Sequence, residues 1–204
     1  VYTARLLALP AHKSSVSTIN MSKRNAHPEG PGASRGFPPV AREDARVLIL
    51  GSLPSEASLS AGEYYAHPRN AFWTIMRVIA GAEGGYAARC HALQARGIAV
   101  WDVLSSSVRP GSLDADIDMN TAVPNDFEQF LAGHEDIRLV CFNGRKAQQM
   151  FQRRVQPLLP EFDFEVSLLP STSPAHASLT LAEKLATWRG VIEPHLGRGE
   201  QTDG

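Results

Sequence analysis

The sequence predicts an α/β protein: a three-layer α/β/α sandwich around a four-stranded, mainly parallel sheet. Three observations predict it. From Ala45 onward, short apolar runs alternate with amphipathic segments, the pattern of strand–helix–strand units. The runs are continuously apolar instead of alternating, as expected of strands covered on both faces. Finally, 204 residues with 43% apolar content suffice for one domain with a sizeable core.

The elements follow in order. Residues 1–36 are rich in Ser, Pro, Gly and Ala without a sustained period and read as a flexible arm, with Met21 a candidate natural start. Residues 37–196 form the folded domain, and 197–204 a flexible tail. Strands are expected at Arg46 to Leu50, Ile98 to Trp101, Leu139 to Phe142 and Phe164 to Leu169. Helices fill the gaps. Phe72, Ile75, Met76 and Ile79 share one face; Phe127, Phe130 and Leu131 follow Asn125 as a cap; Ala147, Met150 and Phe151 share another face. Leu181, Leu185, Trp188 and Ile192 form the last stripe, opened by a Thr180/Glu183 capping box and closed near Pro194. Ligand chemistry is then expected in the loops beyond the carboxyl ends of the strands.

Composition narrows the function. No apolar run approaches the roughly 20 residues of a membrane helix, so a membrane partner is not expected. Cys90 and Cys141 belong to no CxxC or His/Cys cluster, which argues against a disulfide framework, a structural zinc and an iron–sulfur cluster. No metal or cofactor is expected, and a reducing compartment, the bacterial cytosol, is the expected location. The net charge is −1, but Arg5, Lys13, Lys23 and Arg24 precede any acidic residue; without those four, 16 basic and 21 acidic residues remain in 29–204, a balance of −5. Such a body does not hold nucleic acid by bulk attraction, so any contact with DNA is local.

Each strand end is followed by unusual residues: Gly51-Ser-Leu-Pro-Ser55 and then Tyr64-Tyr-Ala-His-Pro-Arg-Asn70 after the first, Asp102 after the second, Asn143-Gly-Arg-Lys146 after the third, Pro170-Ser-Thr-Ser-Pro-Ala-His176 after the fourth. Taken singly, each has an ordinary explanation as a turn glycine, a helix cap or a hydrogen-bonded loop histidine. Their convergence on one edge points to a site. GSLPS lacks the G-x-S-x-G spacing of a nucleophile elbow, and the chain has no Walker lysine, GxGxxG or HExxH. A pocket working without a cofactor remains.

GFPP at 36–39, VLILGSLPSEASL at 47–59, YYAHPRNAFW at 64–73, GIAVWDVL at 97–104 and LPSTSPAHASL at 169–179 together resemble the uracil-DNA glycosylase superfamily, and within it the hypoxanthine-DNA (deoxyinosine) glycosylase branch, over residues 37–195. The chain departs from the mismatch-specific relatives at both ends: Leu53 stands where their first motif has a catalytic Asn, and Ser171 where their last has His or Asn. The resemblance implies a monofunctional, monomeric enzyme acting on DNA that carries a deaminated base, with Asn70 supplying the catalytic amide. It implies that Tyr65 stacks on the flipped base and that Asp102 reads the base edge at the place where relatives use Asn.

Hypoxanthine presents N1–H beside O6, so a carboxylate at Asp102 distinguishes it from adenine; uracil presents the same pair at N3 and O4 and stays open as a substrate. Gly51 and Ser52 belong to the same base-binding group. Ser171 and His176 are candidate catalytic residues, His176 alternatively meeting a phosphate or the minor groove where the same loop in relatives wedges the duplex. Ser55, Thr172 and Ser173 are candidate phosphate contacts, with Arg69, Arg109, Arg145 and Lys146 as a local positive rim. A catalytically silent DNA-binding protein with the same pocket also stays open.

Overall fold

The structure is a computed structural model that describes residues 3–5, 33–109, 117–159 and 164–196. Eight strands are present among them: β1 (Thr3–Arg5), β2 (Ala33–Arg35), β3 (Val47–Gly51), β4 (Ile98–Asp102), β5 (Leu104–Val108), β6 (Val123–Pro124), β7 (Leu139–Asn143) and β8 (Glu165–Leu169). The helices are α1 (Glu56–Ala61), α2 (Phe72–Ala80), α3 (Tyr86–Ala95), α4 (Phe127–Ala132), α5 (Arg145–Met150) and α6 (Leu181–Ile192). The main sheet runs β1-β8-β7-β3-β4, with its last four strands mutually parallel. These are the four strands read from the sequence, each within one residue of its expected bounds.

Alternation along these strands explains the layers. In β3, Val47 and Ile49 pack with Phe72, Ile75, Met76 and Ile79 of α2 and with Trp188 and Ile192 of α6. Leu48 and Leu50 face the other way, against Phe127, Phe130 and Leu131 of α4 and Met150 and Phe151 beyond. A strand whose neighbours cover both faces has no place for a polar side chain, hence the continuous apolar run. Each fully buried Leu, Ile or Phe contributes about 1.5–3 kcal/mol. The layers are therefore α2, α3 and α6, then the sheet, then α4 and α5.

Several expectations need correcting. Within the expected arm, β1 pairs antiparallel with β8 as a fifth, edge strand, and β2 pairs antiparallel with β5; the rest of 1–32 and the 197–204 tail lie outside the described residues. A second sheet, β2-β5-β6, was not foreseen, because Leu104-Ser-Ser-Ser-Val108 carries no apolar pattern and becomes a strand only through pairing. Its buried hydroxyls are satisfied: Ser107 Oγ donates to the Asp118 carbonyl at 3.1 Å. The cap of α4 is Asp126, whose carboxylate accepts from Gln129 N–H at 3.0 Å, while Asn125 turns its amide to the Asp102 carbonyl at 2.8 Å. Beyond α5 the chain makes one π-helical turn, Phe151–Val155. At α6 the capping box forms as read, with reciprocal Thr180 and Glu183 bonds.

Parallel register sets the position of the site. Gly51 lies opposite Asp102, and Asn143 opposite Leu169, so the last residues of β3, β4, β7 and β8 form one edge. Among the described residues, no helix is long and apolar enough to cross a membrane.

Candidate active site

At that edge lies a cavity of about 400 Å³, lined by residues from all four strand ends and from the turn ahead of α2. It brings together Gly51, Ser52, Ser55, Tyr65, Asn70, Asp102, Arg145, Lys146, Ser171, Thr172, Ser173 and His176. Arg69, expected at the rim, is exposed and does not line it; its backbone N–H donates to His67 Nδ1 at 3.2 Å. The HPRN turn sends Asn70 inward and the neighbouring arginine outward.

The floor depends on an absent side chain. A Cβ on Gly51 would stand 2.4 Å from Asp102 Oδ1 and 3.2 Å from the Tyr65 hydroxyl oxygen, so only glycine lets both groups close over this strand end. Asp102 is 3% exposed. The Val103 and Leu104 N–H groups that follow it donate to the Gly51 and Ser52 carbonyls at 2.9 and 3.1 Å. Ser55 serves as the cap of α1, its Oγ accepting from Ser58 N–H at 3.2 Å.

Tyr65 has φ 55°, a left-handed conformation that strains a bulky residue by about 1–3 kcal/mol. Its surroundings hold it there. The ring stacks on Phe72 with centroids 3.9 Å apart. The preceding residue, Tyr64, is tied at three points: Tyr64 N–H donates to the Tyr86 hydroxyl at 3.1 Å, Trp73 Nε1–H donates to the Tyr64 carbonyl at 2.9 Å, and the Tyr64 hydroxyl donates to the Phe37 and Pro38 carbonyls at 3.3 Å. Burial, and secondly the charge of Asp102, pushes the Tyr64 phenol far above its ordinary value, so it stays a neutral donor. Strain at a pocket-lining residue fixed by its neighbours is a mark of a functional position.

Asn70 closes the turn with its N–H on the His67 carbonyl at 2.8 Å. Its Oδ1 accepts from Phe72 N–H at 3.0 Å, which fixes which end of the amide is oxygen and points the NH₂ elsewhere. That carbonyl is thus held by the start of α2. Leu53 also lines the pocket, 6% exposed. Arg109 is not a rim residue: it is 2% exposed, and its guanidinium donates to the Leu53 carbonyl at 3.4 Å and to that of Pro54. It clamps the loop after β3 from behind.

The opposite wall, residues 170–178, is held by hydrogen bonds. Asn143, which had been given no role, takes Thr172 at both ends: Oδ1 accepts from Thr172 N–H and Nδ2 donates to Thr172 Oγ1, each at 2.9 Å. Its place at a strand end just before a glycine was the available signal. Gly144, at φ 95°, lets Ser171 approach; a Cβ there would lie 2.9 Å from Ser171 Cβ. Ala71 N–H donates to the Thr172 carbonyl at 3.0 Å, joining this wall to the residue after Asn70. Ser171 Oγ accepts from Ser173 N–H at 3.2 Å, and exposed His176 pairs Nε2 with Ser178 Oγ at 3.2 Å. Among the described residues, no three His, Cys, Asp or Glu side chains gather to hold a metal.

Residues 38–191 match the model of the uracil DNA glycosylase superfamily. A hypoxanthine DNA glycosylase of Methanosarcina acetivorans is 37% identical over 161 residues, 78% of this chain and 97% of the relative. Another, of Methanosarcina barkeri, is 34% identical over 145 residues, 70% of this chain and 87% of the relative. The solution structure of a Methanosarcina acetivorans protein assigned provisionally as a uracil DNA glycosylase superposes with a TM-score of 0.63 at 33% identity, covering 78% of this chain and 98% of that one.

Proposed function

The chain belongs to the uracil DNA glycosylase superfamily, and we propose that it excises hypoxanthine from deoxyinosine in DNA, leaving an abasic site. The observation that carries this reading is the meeting of the Asp102 carboxylate, the Tyr65 ring and the Asn70 amide around one cavity with room for a purine. The relatives named for hypoxanthine support the choice of base.

The target base must leave the stack, because its C1′–N bond is out of reach inside the duplex; this costs a few kcal/mol and is least costly at a mispair. Stacking of the everted base on the Tyr65 ring returns about 1–3 kcal/mol. Asp102 accepts N1–H, which adenine lacks, and a backbone N–H serves O6. In the chemical step, water oxygen bonds to C1′ as the C1′–N9 bond breaks. The bonding electrons leave with hypoxanthine, which gains the proton that the water gives up, and the sugar becomes an abasic deoxyribose. Positive charge grows on the sugar and negative charge on the base. The oriented Asn70 amide stabilises that separation at no further cost of reorganisation. Ser171, Ser173, Arg145 and Lys146 hold the flanking phosphates, with His176 at the lesion side; Thr172, expected among these contacts, is 1% exposed and held by Asn143, and it anchors the wall instead. Two free cysteines, one buried and one half-buried, support a reducing compartment, the cytosol, and the chain is taken to act as a monomer.

Purified protein is incubated with duplexes holding one deoxyinosine or one deoxyuridine, and abasic sites are cleaved with alkali. The expected result is strand cleavage at deoxyinosine exceeding that at deoxyuridine, and a changed ratio in Asp102→Asn. Cleavage at deoxyuridine alone reassigns the base, and binding without cleavage of either reduces the protein to a silent DNA binder.

A further inference from the structure

Helix α6 packs its Lys184 beneath the 170–178 wall, 6% exposed. Its Nζ donates to the His176 carbonyl at 2.7 Å, the short length of a charge-assisted bond. A buried lysine is ordinarily matched by an acid, yet among the described residues Lys184 makes no ion pair, and its one acceptor is this loop carbonyl. Burial accordingly lowers its affinity for the proton.

One turn further along the same face, Trp188 Nε1–H donates to the Pro170 carbonyl at 3.0 Å. A single face of α6 therefore takes the carbonyls at both ends of the loop. Asn143 and Ala71 hold its middle at Thr172. The segment beyond is otherwise held by bonds within itself, His176 N–H to the Ser173 carbonyl at 3.0 Å, Ala175 N–H to Ser173 Oγ at 3.3 Å and His176 Nε2 with Ser178 Oγ at 3.2 Å, besides the bond from Lys184.

We infer that Lys184 is a positioning residue of this pocket: its buried ammonium group pins the distal half of the 170–178 loop so that Ser173, Ala175 and His176 stay on the cavity wall. Desolvating a charge is costly, and an apolar side chain of similar size removes that cost. What the lysine supplies is a donor that reaches one particular carbonyl. The effect on catalysis rests on the deoxyinosine reading above, whereas the effect on the loop does not.

The test compares Lys184→Met, Lys184→Gln and Lys184→Arg with the parent by melting temperature, amide hydrogen exchange of 171–178 without DNA, and single-turnover cleavage of a deoxyinosine duplex. Lys184→Met is expected to melt at or above the parent temperature while its Ala175 and His176 amides exchange faster. Its cleavage rate falls roughly ten- to a hundredfold, the equivalent of one lost charge-assisted hydrogen bond. Lys184→Arg recovers most of that loss. A folded Lys184→Met with parental exchange and rate overturns the inference, as does a rate loss that merely tracks a fall in melting temperature. If Lys184→Met does not fold, Lys184→Arg lying closer to the parent than Lys184→Gln supports the assignment, and equal behaviour overturns it. A parent that leaves deoxyinosine uncut sinks the proposed substrate, while the exchange measurement still decides the role of Lys184.

Discussion

The floor of the pocket and its loop wall are built by different means. Gly51 and Asp102 lie opposite each other on adjacent parallel strands, placed by register and by the core on both faces, so their relative position moves only if the sheet does. The 170–178 wall has few apolar anchors and is positioned by side chains reaching from neighbouring elements: Asn143, Lys184 and Trp188. The floor suits reading a base, where a small displacement changes which hydrogen bonds form. The wall suits gripping a backbone whose geometry changes when a nucleotide flips.

That contrast predicts unequal mutational costs. Gly51→Ala puts a methyl group 2.4 Å from Asp102 Oδ1, closer than the two can stand. Displacing the carboxylate by about 1 Å should cost on the order of a hundredfold in cleavage rate, with a stability loss of about 1–3 kcal/mol from overpacking. Cleavage kinetics and denaturant unfolding measure the two, and a parental rate would show that the floor is softer than its register implies.

A smaller effect is expected at the wall. Asn143→Ala leaves the Thr172 N–H without its acceptor, at about 1–3 kcal/mol for a buried group. Its main consequence should be weaker DNA binding, with the preference between deoxyinosine and deoxyuridine unchanged. A changed base preference in Asn143→Ala would erase the distinction between the two regions.

The same contrast explains what could be read in advance. The central strands were legible because burial on both faces leaves a continuous apolar signature, and Gly51 and Asp102 were found because they end those strands. The capping box of α6 was legible because its chemistry lies within four residues. Arg109 was misread as a rim charge: nothing in the local sequence indicates that the Leu53 and Pro54 carbonyls turn inward and need a buried donor. Asn143 and Lys184 escaped assignment for the same reason, since their partners lie 29 and 8 residues away and are chosen by the tertiary fold. Ser105, Ser106 and Ser107 gave no strand pattern because pairing with β2 and β6, not apolar burial, makes β5.

In the proposed reaction the Asn70 amide faces the sugar linkage of an everted base. Asn70→Ala, compared with the parent in single-turnover cleavage of a deoxyinosine duplex and in binding to the same duplex, tests it most directly. The expected result is a rate lower by roughly 10²–10³, the size of losing one preorganised transition-state dipole, with binding changed only a few-fold. A parental cleavage rate in a folded Asn70→Ala protein would contradict it.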